Sequence, residues 1–482
     1  MGKKRSDRAW IGFCVAVVTP LVGMGCSGGS GGASTGSLSQ ASQSVNCRKM
    51  NPNFAWYANN REELDECIAG YSHCDRGEGG EHRANRPVAI FDWDNTIIKN
   101  DIGDATTYWM LRHDKILQPR DRNWRFTSPY LTSAGTGSLN AACDALAAPG
   151  QPLPTSTHAD CADAIISIYE NETTRSGANA FAGWNRLRIE PAFAWTAQLQ
   201  AGYTPAEINA IARQVIAENL ANPIGTKQTV GTTGGLNYYI RVYDQIKDLM
   251  GTLQDNGFDV WISSASSRYV VEVFAAHVNV APDHVMGVTL LAGVDGKLTS
   301  NLAGCGDVPD GSNDGNGNVT GNSMITYIDG KRCFANKTIW GDNTTAAVLT
   351  NPDLKQRAIF AAGDSNTDLS FVRDAIGLKL VINRNKKALM CNGYNGYEGR
   401  YLINPMFISP KGQFLSGYAC SSTACFDAAG HKQPCYDEAP ISSIIPNQVD
   451  TVFPNSTYPY ADRDEGVQPR NPDRDSSMGD PE

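Results

Sequence analysis

Four aspartates that follow short apolar runs are the residues best suited to chemistry. Asp92 and Asp94 come at the end of the run 87–92, and Asp364 and Asp368 follow a second such run. Two carboxylates separated by one residue repel each other unless a cation neutralises them. Mg²⁺ prefers carboxylate and water oxygens as ligands. The aspartates therefore predict a magnesium site.

A third apolar run ends in hydroxyl side chains. It spans 258–264 and closes with Ser263 and Ser264. Hydroxyls and free backbone N–H groups in a loop suit the oxygens of a phosphate. The combination predicts a site for a divalent cation and a phosphate group.

The elements that must position these residues follow from the apolar pattern. The runs are short, which predicts buried strands, and 378–383 is a further run of this kind. Helical patterns alternate with them and predict an α/β fold with a doubly wound parallel sheet. The active site of such a sheet lies at the carboxyl ends of its strands.

Between the first and second strands, the sequence predicts helices. Residues 105–235 show helical patterns without a clear strand, so we expect a helical cap inserted after the first strand. A strong helix is predicted from Leu236 to a stop at Gly257, and an amphipathic helix is predicted over 268–279.

In chain order, the site segments read DxDxT, a strand ending in serine, a lysine and GDxxxD. This ordered set resembles the haloacid dehalogenase (HAD) superfamily of phosphatases. The resemblance implies a Rossmann-like core and an Mg²⁺-dependent phosphomonoester hydrolase. Asp92 would attack phosphorus and form an aspartyl-phosphate, and Asp94 would protonate the leaving oxygen and later activate water. The implied metal residues are Asp92, Asp94, Asp364 and Asp368, the last mainly as an orienting group, and the implied phosphate-binding residues are Ser264, Thr96 and Lys337.

Three lysines are candidates for the phosphate-binding position. Lys355 precedes its strand and so lies at the wrong end of the sheet, and Lys331 falls in a predicted loop hairpin. Lys337 opens a predicted helix that runs back toward the start of that strand, so its ammonium can reach the active end. We therefore predict Lys337, with a solvated surface lysine as the alternative.

The predicted cap and its flank suggest a substrate class. The family resemblance implies that such a cap favours small soluble substrates. Asp101 stands where the phosphoserine phosphatase branch has an acidic residue that contacts the substrate's amino group, and a helix N-cap is the alternative role. Trp109 is the best candidate for an aromatic wall around a quaternary ammonium, and simple packing is its alternative.

Together with predicted export, these features resemble the secreted phosphorylcholine phosphatases, whose motifs also use DxDNT and a Ser-Ala pair. The resemblance implies hydrolysis of a small amine-bearing phosphate monoester such as phosphorylcholine or phosphoethanolamine. A broad-specificity acid phosphatase is one alternative. A lipoprotein that binds choline or phosphate without turnover is another.

The first 26 residues have the layout of a secretory signal: a basic start, an apolar run and small residues leading to Cys26. Cys26 resembles the lipidated cysteine of bacterial lipoproteins, which implies an exported protein anchored to the cell envelope, facing the periplasm or the cell surface. A simple cleaved signal is the alternative. We predict a signal peptide over 1–26, a flexible tether over 27–45, an N-terminal extension over 46–85, a catalytic core over 86–104 and 236–450, the cap over 105–235 and a disordered tail over 451–482.

Composition limits the partners and the compartment. The 482 residues carry a formal net charge of −9, which argues against a nucleic-acid partner, because such proteins carry a basic face. Apart from the lipid anchor, no membrane contact is expected. Thirteen cysteines fit an exported protein with structural disulfides. Without Cys14 and Cys26 their number is odd, so at least one is unpaired or paired between chains. The candidate bridges are Cys67–Cys74, Cys143–Cys161 and Cys305–Cys333.

Overall fold

The computed structural model describes residues 47–72, 86–396, 399–420 and 448–454, and the backbone of 425–426 and 432–433. The predicted signal peptide with Cys26, the tether and the tail from residue 455 lie outside the described residues. Within those ranges, no helix combines the length and the apolar character needed to cross a membrane.

Strands and helices alternate along most of the chain. The strands are β1 (Val88–Phe91), β2 (Ile98–Lys99), β3 (Lys227–Val230), β4 (Thr233–Asn237), β5 (Arg241–Val242), β6 (Asp259–Ser267), β7 (Val285–Val288), β8 (Leu290–Ala292), β9 (Leu298–Leu302), β10 (Ser312–Asn313), β11 (Val319–Thr320), β12 (Phe360–Gly363), β13 (Leu378–Asn383), β14 (Arg400–Pro405), β15 (Cys425–Phe426) and β16 (Lys432–Gln433). The helices are α1 (Asn60–Tyr71), α2 (Ile102–Arg112), α3 (Ser133–Cys143), α4 (Ala159–Asn171), α5 (Pro191–Gln198), α6 (Pro205–Ala221), α7 (Asp244–Asp255), α8 (Arg268–Phe274), α9 (Asp329–Trp340), α10 (Leu369–Asp374) and α11 (Lys387–Asn395).

One sheet of six parallel strands forms the centre of the molecule, in the order β14, β13, β12, β1, β6, β7. Successive side chains of β1 point to opposite faces. Ala89 and Phe91 join one apolar core, and Val88 and Ile90 join a second. Two buried faces explain why β1 is a continuous apolar run. The predicted fold class, a doubly wound parallel α/β sheet, is confirmed.

The segment between β2 and β5 contains α2 to α6 and differs from its prediction in two respects. β3 and β4 form an antiparallel hairpin there, which the sequence pattern does not indicate because these short strands are polar and β4 contains two glycines. The helix predicted from Leu236 begins only at Asp244. Leu236 lies in β4, and β5 pairs with β2, so extended backbone occupies the first residues of the predicted helix.

Three disulfides join cysteines of the described ranges: Cys143–Cys161, Cys305–Cys333 and Cys391–Cys420. The first two confirm the sequence predictions. The predicted bridge Cys67–Cys74 is wrong, because Cys67 carries a free thiol on α1, while Cys47 is itself disulfide-bonded. Burial raises the pKa of the Cys67 thiol to about 11, so this thiol stays protonated at neutral pH.

Candidate active site

The site forms at the carboxyl ends of three adjacent strands. β1 lies between β12 and β6, so the residues that follow these strands meet at one edge of the sheet. Asp92 follows β1, and Asp364 follows β12. Carboxylate oxygens of Asp92, Asp364 and Asp368 lie within 4.8 Å of one another. The structure therefore brings together the aspartates that the sequence pattern selected.

Asp94 is held by three donors. Its Oδ1 accepts a hydrogen bond from the backbone N–H of Ile102, 2.7 Å away, at the start of α2. Its Oδ2 accepts bonds from the hydroxyls of Ser266 at 2.8 Å and Ser264 at 3.3 Å. Loss of solvent raises the pKa of Asp94 to about 6, although these donors partly oppose the rise. A carboxyl group with such a pKa can both give and take a proton near neutral pH.

The structure separates the two serines at the end of the apolar run in β6. Ser264 faces Asp94, whereas the hydroxyl of Ser263 is buried and has no hydrogen-bond partner among the residues that the structure describes. Ser266 was not among the predicted site residues. Ser266 lies two positions after Ser264, and residues i and i+2 of a strand share a face. The strand alternation of β6 therefore predicts that Ser266 points to the same side as Ser264.

The lysine of the site is Lys331, and the prediction of Lys337 is wrong. Lys331 is fully buried, and its Nζ donates to Asp92 Oδ1 at 2.5 Å and to Asp368 Oδ1 at 2.6 Å. Burial acts to lower the pKa of Lys331, but the charges of Asp368 and Asp92 outweigh it and raise this pKa. Lys337 instead donates to the carbonyl oxygen of Gly304 at 2.8 Å.

The sequence pattern predicts the start of α9 too late, which favours Lys337 over Lys331. α9 begins at Asp329, so Lys331 lies in its first turn and not in a loop hairpin. The preceding Ile328 has φ 41° and ψ −107°, a conformation that is rare for a β-branched residue. Ile328 donates its N–H to the Thr367 carbonyl at 2.9 Å. Tertiary contacts set this helix start, and the local sequence does not signal it.

Asp364 is bonded through both carboxylate oxygens. Thr96 Oγ1 donates to its Oδ1 at 2.9 Å, and Arg384 Nη1 donates to its Oδ2 at 2.6 Å. Thr96, predicted to bind phosphate, is buried and bonds to this aspartate instead. Arg384 was missed because it follows β13, outside the matched motifs. The pair fixes the orientation of Asp364.

Asp368 shapes the loop around Asp364. Its Oδ2 accepts the backbone N–H groups of Asp364 at 2.9 Å and Ser365 at 3.0 Å, while its Oδ1 bonds Lys331. A Cβ atom at Gly363 would lie 2.6 Å from the Cβ of Asp368, which explains the glycine before Asp364. These bonds engage both oxygens of Asp368.

The donor set and its charge fit a divalent cation. Burial, and next the charge of Asp368, raise the pKa of Asp92 well above its usual range. Four carboxylates (Asp92, Asp94, Asp364 and Asp368) face the two cationic side chains Lys331 and Arg384. The cluster thus carries a surplus of two negative charges when all these groups are ionised. Hard oxygen ligands with this surplus suit Mg²⁺.

Asp101 and Trp109 take the alternative roles considered for them. Asp101 caps α2, because its Oδ1 accepts the N–H groups of Gly103 at 2.7 Å and Asp104 at 3.0 Å. Trp109 is buried, its ring stacks on His113 with 4.0 Å between centroids, and its Nε1 donates to Glu218 at 3.0 Å. These contacts are typical of helix capping and packing.

A different acidic residue of α2 acts electrostatically on Asp94. The charge of Asp104 contributes to the raised pKa of Asp94, after burial as the main cause. Asp104 also accepts a hydrogen bond from the hydroxyl of Tyr169 on α4. Asp104 lies three residues beyond the predicted Asp101. Because Asp101 caps α2, Asp104 is the better candidate for a substrate contact.

Comparisons with known proteins support the fold. No protein-family model and no curated protein matches the chain. A conserved protein of unknown function from Anaerococcus prevotii DSM 20548 has a similar structure, with a TM-score of 0.51 and 18% identity, over 73% of this chain and 93% of that chain. A HAD family hydrolase from Salmonella enterica serovar Typhi matches with a TM-score of 0.28 and 13% identity, over 63% of this chain and 65% of that chain. A substrate-bound phosphoserine phosphatase matches with a TM-score of 0.26 and 12% identity, over 62% and 86%. The last two scores are too low to support an argument about activity.

Proposed function

We propose that this protein is an Mg²⁺-dependent phosphomonoester hydrolase that works through an aspartyl-phosphate on Asp92. The observation that carries the proposal is the buried bridge from Lys331 to Asp92 and Asp368, which lie beside Asp364. A buried aspartate held by a lysine at a strand end is placed to act as a nucleophile. A protein that only binds phosphate needs no such group.

Each residue has a distinct task in the proposed reaction. An oxygen of Asp92 forms the new bond to phosphorus as the bond from phosphorus to the leaving oxygen breaks. Asp94 gives its proton to that leaving oxygen and then takes a proton from the water that hydrolyses the aspartyl-phosphate. Lys331 keeps Asp92 in place, and Ser264 offers its hydroxyl to the phosphate oxygens.

The residues that would hold Mg²⁺ are Asp92 and Asp364 through side chains and Asp94 through its backbone carbonyl. The bound ion would supply positive charge to the nucleophile and the phosphoryl oxygens. Asp368 supports this arrangement through Lys331 and the loop that carries Asp364.

An assay with p-nitrophenyl phosphate tests the reaction class. We expect hydrolysis that requires Mg²⁺, and we expect Asp92→Asn to lower kcat by about 10³-fold or more, because an amide is a poor nucleophile. Asp259→Asn, an aspartate on the same sheet but at the opposite end of β6, is the matched control and should keep its activity. Near-normal turnover by Asp92→Asn would falsify the proposed mechanism.

We also propose that the substrate carries an amino or quaternary ammonium group, as in phosphorylcholine or phosphoethanolamine. Asp104 supports this proposal and replaces Asp101 as the candidate for binding the positive charge. The charge of Asp104 acts on Asp94, the residue proposed to protonate the leaving oxygen, so a positive group on the leaving alcohol would meet a negative charge. An ammonium on the leaving group would be stabilised by this negative charge, whereas a neutral leaving group would not.

The pair Asp104→Asn and Asp101→Asn tests the substrate class. Asn caps a helix about as well as Asp, so Asp101→Asn should change little. Asp104→Asn should raise KM for phosphorylcholine by about tenfold, the order expected for one charged contact, and leave KM for glycerol phosphate unchanged. Equal effects on both substrates would favour the broad-specificity phosphatase instead.

We propose that the protein is exported and held at the cell envelope by a lipid on Cys26. The three disulfides described above support an oxidising compartment. Labelled palmitate should enter the wild type and not Cys26→Ser, and only the wild type should fractionate with membranes. A wild-type protein without label would leave the cleaved signal as the explanation.

A further inference from the structure

The position of Lys331 depends on a tight turn. In this turn, Ile328 adopts its rare φ of 41°, and a Cβ at Gly330 would lie 1.7 Å from the carbonyl oxygen of Ile325. Thr326 donates its hydroxyl to the Ser264 carbonyl. The turn has little room to adjust, so a displacement of α9 would be transmitted to the ammonium of Lys331.

A second segment is bonded to α9 just beyond Lys331. We call residues Gly304–Val308 the brace loop. Its Cys305 forms a disulfide with Cys333, two residues after Lys331, and both sulfur-bearing residues are buried. Its Gly304 carbonyl accepts the hydrogen bond from Lys337 at 2.8 Å. The brace loop thus contacts α9 at two points, one turn apart.

The brace loop is itself compact and is bonded to the segment before α5. A Cβ at Gly304 would lie 2.2 Å from the Val308 carbonyl oxygen, so the loop closes tightly. Asp307 accepts two bonds of 2.9 Å from Nη1 of Arg188. The neighbouring Leu187 accepts the N–H of Asp329, at the start of α9, at 2.9 Å. The loop and α9 therefore share an attachment to this segment.

We propose that the brace loop, through the Cys305–Cys333 disulfide, positions Lys331 for the reaction. The inference rests on the proposed phosphatase function. Lys331 is the catalytic residue, because it touches the nucleophile, and Cys305 and Cys333 are positioning residues. Without the disulfide, the first turn of α9 gains freedom, and the ammonium of Lys331 no longer stays within hydrogen-bond distance of both carboxylates.

Two double variants test the proposal in the full chain with p-nitrophenyl phosphate and Mg²⁺. Cys305→Ala/Cys333→Ala removes the bridge next to Lys331. Cys143→Ala/Cys161→Ala is the matched control, because both of its cysteines are also buried and its bridge spans 18 residues against 28. Both variants should lose thermal stability to a similar degree.

Only Cys305→Ala/Cys333→Ala should have a lower kcat. We expect a decrease of about tenfold to a hundredfold, the cost of a misplaced group at the reacting centre. Its KM should stay within about twofold of the wild-type value, since Ser264 still binds the phosphate. The control should keep its kcat at temperatures below its unfolding transition. A general loss of stability lowers the fraction folded in both variants and does not produce this difference.

Equal kcat values for the two double variants would overturn the inference, as would an effect on KM alone. If the first variant does not fold, Cys305→Ser/Cys333→Ser removes the same bridge with a smaller loss of side-chain volume, and unchanged kcat in it would be decisive against the proposal. If the wild type and the control hydrolyse no phosphomonoester, the proposed function fails, which is a separate result.

Discussion

The ammonium of Lys331 is the residue-scale feature on which the site depends. It is fully buried and bonded to two carboxylates. Removing one partner of a buried ion pair leaves uncompensated charge, which costs more than the pair itself contributes. Asp92 would then lose the cation that keeps it ionised and oriented for attack.

Lys331→Met should therefore lower kcat/KM by about 10³-fold, as expected when a charged group is lost next to a nucleophile. Lys337→Met should cost only about fivefold, because it acts through the brace loop and not on Asp92. Steady-state kinetics on purified proteins, with circular dichroism to check folding, compares the two. The assignment of the site lysine is contradicted if Lys337→Met is the more damaging change.

At the scale of elements, a C-terminal segment holds the end of β13 in place. Asp450 is fully buried, and its carboxylate accepts bonds from the Tyr394 hydroxyl at 2.5 Å and the Phe414 N–H at 2.8 Å. Asn383, the last residue of β13, donates to Asp450 at 3.3 Å and to the Val452 carbonyl at 2.6 Å. Arg384, which bonds Asp364, comes directly after this anchored residue.

Asp450→Ala should lower the free energy of unfolding by about 2–4 kcal/mol, because it leaves several buried donors without an acceptor. Asp353→Ala makes the same truncation at an exposed aspartate that caps a short 3₁₀ turn and should cost about 1 kcal/mol. Urea unfolding curves measure both values. A smaller loss at Asp450 than at Asp353 would show that this carboxylate does not anchor the segment.

The accuracy of the sequence-based prediction also differs between elements. The strands β1, β12 and β13 were predictable because strands buried on both faces are short apolar runs between polar segments. β14 lies at the edge of the sheet, and Arg400 and Asn404 interrupt its apolar residues, so no continuous apolar run indicates this strand. The nucleophile loop follows directly from the predicted strands. Lys331 and Arg384 depend on contacts between distant segments, which no local pattern encodes.

For the whole molecule, the surplus negative charge of the site links folding to a cation. A ligand that binds only the folded state stabilises it by about 2.7 kcal/mol at a hundred times its dissociation constant. Mg²⁺ should therefore raise the Tm of the wild type, and EDTA should reverse the rise. Asp364→Asn removes one proposed ligand and should abolish the shift in differential scanning fluorimetry. The same Tm with and without Mg²⁺ would exclude the cation from this site.

The most direct measurement of the central claim is to find the phosphoryl group on the protein. Asp94→Asn keeps Asp92 but removes the group that activates water, so a phosphoryl-enzyme should accumulate during turnover of a substrate with a good leaving group, such as p-nitrophenyl phosphate. After an acid quench, peptide mapping by mass spectrometry should locate the phosphate on Asp92 and find none in the Asp92→Asn/Asp94→Asn double variant. A phosphate on another residue would contradict the account, as would turnover without any phosphorylated peptide.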